Sequence, residues 1–220
     1  MTFKHSGVTG DIIFSLPTIR KMGGGTLYIT PYNLQRAESI APLIKIQDYI
    51  TDVIISDNLP HIDVDLDKFR VYAGRESNLI EAHLKAQGLS DNSWKDGWLR
   101  IEDNKPIIDY TYSVINTGSN YLDPNFDWSK EIKYLLTLSE RVFYLGYRGE
   151  FDLLNNNEAE FFECDFVTAA EMIYYAQMFT GGYSALSTIA MGLGINYRMV
   201  QAPNHTCSSL LMEREKIVNL

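Results

Sequence analysis

The stretch TGGYSALSTIAMGLG, residues Thr180–Gly194, places two glycines between two runs of small and apolar residues. The first run, Ala170–Phe179, has helical spacing, and the second begins behind Ser184. A glycine turn that feeds a helix leaves the first helical N–H groups unpaired, and the helix dipole adds partial positive charge there. Such an end favours an anion, most often a phosphate. A helix–turn–helix corner packed through small residues accounts for the same pattern equally well.

Composition limits the kind of protein that can contain this stretch. The 220 residues allow one large domain or two small ones. A hydrophobic content of 45%, with 12% aromatic residues, is enough for a folded core. Lys and Arg number 19 against 28 Asp and Glu, which gives a net charge of −9. That balance argues against a general nucleic-acid binder and against binding to anionic membranes.

The cysteines and the amino terminus suggest a cellular location. Cys164 and Cys207 lack the spacing of metal ligands, so we expect ordinary structural thiols. Residues Met1–Gly10 are polar and lack the apolar core of a signal peptide, and no apolar run approaches the length of a membrane span. The sequence therefore predicts a cytoplasmic protein without a membrane span.

Strand and helix patterns alternate along the first half of the chain. The predicted strands are Thr2–His5, Thr26–Thr30, Val53–Ser56 and Trp98–Ile101, and the predicted helices are Ile12–Met22, Ala37–Ile46 and Asn78–Gln87. Asp63–Phe69 is a short alternating segment between them. This order is typical of a parallel α/β sheet.

The same alternation starts again after a polar link that ends at Pro106. The predicted strands are Tyr112–Asn116, Arg141–Leu145, Glu160–Cys164 and Tyr197–Val200, and the predicted helices are Ser129–Leu138, Thr168–Met178 and Ser208–Val218. We therefore predict an α/β fold of two small Rossmann-like domains, residues 1–106 and 107–205, followed by a C-terminal helix over 206–220. Because ligands bind beyond the carboxyl ends of parallel strands, we expect the two domains to face each other across a cleft.

The first candidate site is the turn Lys4–Asp11, which joins a predicted strand to a predicted helix. It lacks the glycine spacing and the acidic residue of a dinucleotide fingerprint, so it does not favour a nicotinamide cofactor. Asp11 lies at the helix start, where a carboxylate can cap free N–H groups. Alternatively, Asp11 faces the cleft and accepts a proton from an attacking hydroxyl, with burial raising its pKa toward the working range.

Two further segments carry groups that suit a phosphate or a sugar. Thr117-Gly118-Ser119 follows a predicted strand, although an ordinary turn has the same composition. Arg148 follows another strand and could neutralise a diphosphate, or it could simply be solvated. The Asp-x-Asp pattern within Asp63–Asp67 is known from metal sites, but it alternates like an edge strand, so we do not predict a metal there. Of the histidines only His5 lies in a candidate site.

Several segments together resemble the ADP-heptose:lipopolysaccharide heptosyltransferases and their relatives, which are inverting glycosyltransferases of the GT-B fold. The amino-terminal pattern of that family matches the segment from Gly10-Asp11 to Leu16-Pro17, and later patterns match Leu43–Ile54 and Ile115–Trp128. The family's Asp-Ser/Thr-Gly-Leu-Ser-His-Leu-Ala-Ala-Ala-Leu-Gly aligns without a gap on Tyr183–Gly194.

The chain departs from the family pattern at three places. Tyr183 stands where the family has an acidic residue, and Thr188 stands where it has a histidine. The lysine often found between the polar turn and the tryptophan is absent from Asn120–Asp127. These departures motivate an alternative hypothesis, a non-catalytic protein that binds a nucleotide or a nucleotide sugar. A sugar-nucleotide epimerase is a third alternative.

The resemblance implies a glycosyltransferase that moves a sugar from a nucleotide-diphosphate donor to a sugar or glycan acceptor, with inversion and with neither a cofactor nor a metal. Asp11 would be the catalytic base, assisted on the acceptor side by Ser6, Thr9 and Gly10. The predicted donor-binding residues are Thr117, Gly118, Ser119, Arg148, Gly181, Gly182, Tyr183, Ser184, Ala185 and Ser187.

Overall fold

A computed structural model describes residues 1–30, 34–73, 78–102, 106–118 and 125–200. The chain divides into two compact units, the first formed by residues 1–102 and the second beginning at Asp103. The boundaries predicted from the sequence at 106 and 205 stay predictions, and the predicted helix over 206–220 lies outside the described residues. None of the described helices is long and apolar enough to cross a membrane.

The first unit is a parallel sheet covered by helices. Its strands are β1 (Thr2–His5), β2 (Gly25–Ile29), β3 (Ile50–Ile55) and β4 (Val64–Asp65), in the order β3-β2-β1-β4. Its helices are α1 (Thr9–Lys21), α2 (Leu34–Lys45) and α3 (Leu79–Ala86), with 3₁₀ helices at Leu66–Val71 and Ser93–Asp96. Alternate residues of β1, Phe3 and His5, are buried in the core.

Helix α1 contains Pro17, which has no N–H to donate to the carbonyl of Ile13. The indole N–H of Trp98 donates to that carbonyl instead, at 3.1 Å. Trp98 is 1% exposed, so the carbonyl that the proline leaves unpaired is satisfied inside the core and not by water. This bond explains how the helix tolerates a proline after Leu16.

We expect Trp98→Phe to lower the free energy of unfolding by about 1–3 kcal/mol beyond the loss of packing, because the Ile13 carbonyl would stay buried without a donor. Trp94→Phe is the matched control. Trp94 is 2% exposed and its indole N–H donates to the Asp91 carbonyl at 2.9 Å, in a partly buried turn that lies outside α1. Urea unfolding of both variants measures the difference, and equal losses would contradict the assigned role of Trp98.

The predicted strand at Trp98–Ile101 is wrong, since the structure has no strand there. The segment is held by a side chain and not by a neighbouring strand. Gln47 donates to the carbonyl of Arg100 at 3.1 Å and accepts from its N–H at 2.8 Å, so the amide of Gln47 takes the place of a ladder partner. Apolar patterning alone does not distinguish a strand paired with another strand from a segment held by a side chain.

The second unit repeats the architecture. Its strands are β5 (Tyr112–Asn116), β6 (Arg141–Tyr144), β7 (Ala159–Phe161), β8 (Phe179–Gly181) and β9 (Tyr197–Met199), all parallel and in the order β7-β6-β5-β8-β9. Its helices are α4 (Trp128–Leu135), α5 (Arg148–Leu154), α6 (Phe166–Tyr175) and α7 (Ala185–Leu193). The α/β prediction is confirmed: two parallel sheets with their helices form the chain.

The predicted helix boundaries before Thr180 are wrong. Helix α6 begins at Phe166, because the side chain of Asp165 accepts from the N–H of Thr168 at 2.8 Å and caps it. It ends at Tyr175, and Phe179, the last residue of the apolar run, begins strand β8 between β5 and β9. Strand β8 is only three residues long and directly continues the apolar run, so periodicity did not separate it from the helix.

Both sheets reverse their winding at one point. In the first unit β2 and β3 lie on one side of β1 and β4 lies on the other, and in the second unit β6 and β7 lie on one side of β5 while β8 and β9 lie on the other. Open parallel sheets bind ligands at such switch points, beyond the carboxyl ends of the strands. The switch points therefore lie at β1/β4 and at β5/β8.

Candidate active site

The switch point of the first unit is organised by Asp67, the second residue after β4. Its carboxylate accepts from the backbone N–H of Ser6 at 3.0 Å and from the Ser6 hydroxyl at 2.7 Å. Ser6 is the first residue after β1, so this one side chain joins the loops that follow the two neighbouring strands.

Two cations also bind Asp67. The Lys4 ammonium lies 2.7 Å and the Arg70 guanidinium 2.6 Å from its oxygens. Burial alone would raise the pKa of the Asp67 carboxyl, but the hydrogen bonds from Lys4, Ser6 and Arg70 outweigh burial and hold that pKa well below its usual range. Asp65 also lies 3.6 Å from Lys4. Asp67, the last carboxylate of the Asp-x-Asp pattern, is therefore ionised, and it anchors the loops that follow β1 and β4.

Gly7 is wedged between two side chains of the site. A Cβ placed on Gly7 would lie 2.5 Å from Cε1 of His5 and 2.9 Å from Cβ of Asp11, closer than side-chain atoms approach. The N–H of Gly7 donates to Nδ1 of His5 at 2.8 Å. Only glycine fits here, and the turn therefore lies directly against the side chain of Asp11.

Asp11 is the third residue of α1 and is partly exposed. Burial raises the pKa of its carboxyl above the ordinary value of 3.8, while Arg70 and the Val8 amide act to lower it and Asp67 acts to raise it. The carboxylate is therefore a stronger base than an ordinary aspartate. The predicted acceptor-side residues Thr9 and Gly10 are the first two residues of the same helix, and Ser6 lies in the turn before it.

A stack of three rings lies beneath the turn, formed by His5, Phe69 and His83. The Phe69 and His83 centroids are 4.0 Å apart, and His5 lies 5.7 Å from Phe69. Both histidines are fully buried. Burial lowers the pKa of His5 to about 4 and that of His83 well below its usual value, so both rings are neutral at pH 7. His83 was not recognised from the sequence.

In the second unit, the loop after β5 meets the start of α5. The Thr117 hydroxyl lies 3.0 Å from the Tyr144 hydroxyl, which donates to the Glu150 carboxylate at 3.1 Å. A Cβ on Gly118 would lie 2.6 Å from Oε2 of Glu150. The carboxylate thus occupies the space that Gly118 leaves open. Sequence analysis missed Glu150, and Ser119, the third predicted residue of this loop, lies outside the described residues.

Arg148 is exposed and lies over an aromatic ring of β7. Its guanidinium carbon is 3.9 Å from the centroid of Phe161. This cation–π contact accounts for the position of the side chain. A role for Arg148 in donor binding stays a prediction.

The turn from β8 into α7 is closed by its own serines. Ser184 caps α7 by accepting from the N–H of Ser187 at 3.3 Å, and the Ser187 hydroxyl accepts from the N–H of Ser184 at 2.9 Å. Gly182 donates to the carbonyl of Asn116 on β5 at 3.3 Å, which ties the turn to the neighbouring strand. A Cβ on Gly181 would lie 2.9 Å from that same carbonyl oxygen.

The serine cap does not use every N–H group in the first turn of α7. Those of Ala185 and Leu186 have no partner in the described part of the chain, and they point out of the positive end of the α7 dipole. Tyr183 is buried, and the Thr188 hydroxyl donates to the Ser184 carbonyl at 3.1 Å. Thr188 therefore closes the first turn of α7 and does not reach outward as a free side chain.

The structure thus brings the predicted residues into two groups. Ser6, Thr9, Gly10 and Asp11 lie at the β1/β4 switch point. Thr117 and Gly118 lie after β5, next to the Gly181–Ser187 turn at the β5/β8 switch point. Asp67 completes the first group and Glu150 completes the second. No local sequence pattern reveals either of these neighbours.

No protein-family model matches the chain, and no curated protein sequence does. Solved structures do match. The glycosyl transferase family 9 protein from Veillonella parvula DSM 2008 superposes with a TM-score of 0.73 at 10% identity, over 99% of this chain and 84% of that one. E. coli heptosyltransferase WaaC, solved with ADP-2-deoxy-2-fluoro heptose, gives 0.67 at 12% identity, over 98% and 91% of the two chains.

A third match is the E. coli ADP-heptose lps heptosyltransferase II, with a TM-score of 0.61 at 9% identity, over 100% of this chain and 90% of that one. At such low identity the likeness is one of fold, and it extends over nearly the whole chain. The chain therefore has the GT-B-like fold of the heptosyltransferase-type glycosyltransferases, carried by a strongly divergent sequence.

Proposed function

We propose that the chain is a cytoplasmic glycosyltransferase that moves a sugar from a nucleotide-diphosphate donor to a hydroxyl of a sugar or glycan acceptor, with inversion and without a metal ion. The observation that carries the proposal is Asp11, a carboxylate with a raised pKa at the switch point of the first sheet. A base of this kind suits removal of a proton from an acceptor hydroxyl. The fold of the chain, shared with glycosyltransferases, supports the same assignment.

In the proposed reaction, Asp11 takes the proton of the acceptor hydroxyl as that oxygen attacks the anomeric carbon. The bond from this carbon to the donor diphosphate breaks, and the nucleoside diphosphate leaves with the electron pair. The N–H groups of Ala185 and Leu186 stabilise the charge that develops on the leaving oxygens, which is the work that a metal performs in other transferases. Attack from the side opposite the leaving group inverts the anomeric carbon.

We further propose that Glu150 binds the donor ribose. A carboxylate near the carboxyl end of a strand is the usual acceptor for ribose hydroxyls in Rossmann-like domains. Glu150 lies beside Gly118 and is already held by the Tyr144 hydroxyl, so it is oriented before the ligand arrives.

Thermal unfolding with nucleosides, nucleoside monophosphates and nucleoside diphosphates tests the donor assignment. We expect one nucleoside diphosphate to stabilise the protein by about 2.7 kcal/mol at a hundred times its dissociation constant, and the matching nucleoside to bind far more weakly. The reason is that the second phosphate reaches the start of α7. Equal stabilisation by the nucleoside and its diphosphate would argue against a diphosphate site.

A further inference from the structure

We propose that Asp67 is a positioning residue for Asp11: by holding Ser6 at two atoms, it fixes the turn that presses Gly7 against the Asp11 side chain. The inference rests on the proposed function in one respect only, namely that Asp11 is the base. The position and charge environment of Asp11 can be measured without any substrate.

A chain of contacts connects Asp67 to Asp11. The Asp67 carboxylate binds both the backbone N–H and the hydroxyl of Ser6. Ser6 is followed by Gly7, which has the His5 ring on one side and the Asp11 side chain on the other, with no room for a methyl group. A shift of the turn by a few tenths of an ångström would therefore move Asp11 directly.

The same contact pattern occurs at the other end of β1, where it serves only the fold. Asp63 accepts from the backbone N–H of Thr2 at 2.8 Å and from its hydroxyl at 3.0 Å, as Asp67 does from Ser6. The Asp63 side chain is 41% exposed and lies at the amino ends of the strands, whereas that of Asp67 is 12% exposed. Asp63 is therefore a matched control for the loss of a carboxylate that holds β1.

Charged groups around Asp11 also act on its carboxyl. Asp67 and Arg70 from the 3₁₀ helix act on its carboxyl in opposite directions, since Asp67 raises its pKa and Arg70 lowers it. The other charged or titratable groups of this cluster are Lys4 and His5 from β1, Asp65 from β4 and His83 from α3. Both histidines are neutral, and Lys4 is paired with Asp67 at 2.7 Å, so changes at Asp67 and Arg70 dominate the field at Asp11.

The test is a titration of the Asp11 carboxyl carbon by NMR in the full chain. We expect Asp67→Asn to lower the pKa of Asp11, because it removes a negative charge and releases Arg70 and Lys4. Arg70→Gln should raise that pKa, and Asp63→Asn should leave it unchanged. Opposite shifts from two residues that bind each other distinguish an electrostatic role from general loss of structure.

The account is overturned if Asp67→Asn and Asp63→Asn leave the same titration curve, or if Arg70→Gln shifts the pKa of Asp11 downward. Should Asp67→Asn not fold, Ser6→Ala takes its place, because it removes the hydroxyl that Asp67 holds at 2.7 Å, and a titration curve of Asp11 identical to that of the wild type would then overturn the proposal. Once an acceptor is found, the acid limb of kcat/KM should move in the same directions as the NMR values, and Asp67→Asn should lower kcat by about 10²-fold through misplacement of the base. Turnover that is absent in every variant, including the wild type, would refute the proposed function and leave the titration result standing.

Discussion

Asp11→Asn is expected to lower turnover by about 10²–10⁴-fold while the affinity for the nucleoside diphosphate stays within a factor of two or three, on the order of the experimental error. Asparagine keeps the size of the side chain and can still accept from the Val8 amide, but it cannot take a proton. Donor affinity should be kept because the proposed diphosphate contacts belong to the second unit. Steady-state kinetics and calorimetric titration of the same preparation measure both quantities.

The pH dependence gives a second readout of the same residue. Only the ionised form of Asp11 can act as a base, so kcat/KM should fall as the pH drops through its pKa, and that fall should occur above the ordinary value of 3.8 because burial raises the pKa.

A carboxyl whose pKa is raised by folding opposes folding at pH values above that pKa. Asp11→Asn should therefore be at least as stable as the wild type at pH 7. A variant with wild-type turnover would remove Asp11 from the mechanism.

Ala185→Pro should lower kcat by about 10²–10³-fold, the loss that follows removal of one N–H donor from an anion hole. Proline is accepted at the first position of a helix, where it deletes only the N–H. The preceding Ser184 has φ −145° and ψ 173°, an extended conformation that proline tolerates in its neighbour. Helix α7 should therefore persist, while one of the two proposed diphosphate donors is lost.

Leu79→Pro provides the control for this substitution. Leu79 is the first residue of α3, and its preceding residue Asn78 has φ −155° and ψ 168°, close to the values at Ser184. Leu79 lies in the first unit and belongs to neither proposed binding group. If Leu79→Pro and Ala185→Pro lower kcat equally, proline at a helix start is simply disruptive and the α7 donors have no special role.

Much of the fold was predictable because its signals are local. The strands Thr2–His5 and Tyr112–Asn116 were predicted with the bounds that the structure has. Asp11 lies in the first turn of the helix that follows the first strand, and Thr117-Gly118 directly follows the second. The prediction of parallel sheets also located the candidate sites, because carboxyl ends of parallel strands share one edge.

The parts that sequence reasoning missed depend on partners far along the chain. Asp67 acts on Ser6 across 61 residues, and the spacing of acids around it suggested only an edge strand or a metal pattern. Glu150 was hidden because α5 has only seven residues and none of them is fully buried, so no periodicity indicated a helix there. His83 lies in a predicted helix, but its stacking on Phe69 follows from tertiary packing alone.

The most direct test of glycosyl transfer is product analysis by NMR, with the full chain, a panel of nucleotide-diphosphate sugars and a panel of sugar acceptors. We predict a new glycoside formed in equal amount to the released nucleoside diphosphate, with an anomeric configuration opposite to that of the donor, undiminished by EDTA and lost in Asp11→Asn. A protein that binds a nucleotide sugar across the panel yet forms no glycoside, or one that forms it equally well as Asp11→Asn, would contradict the account.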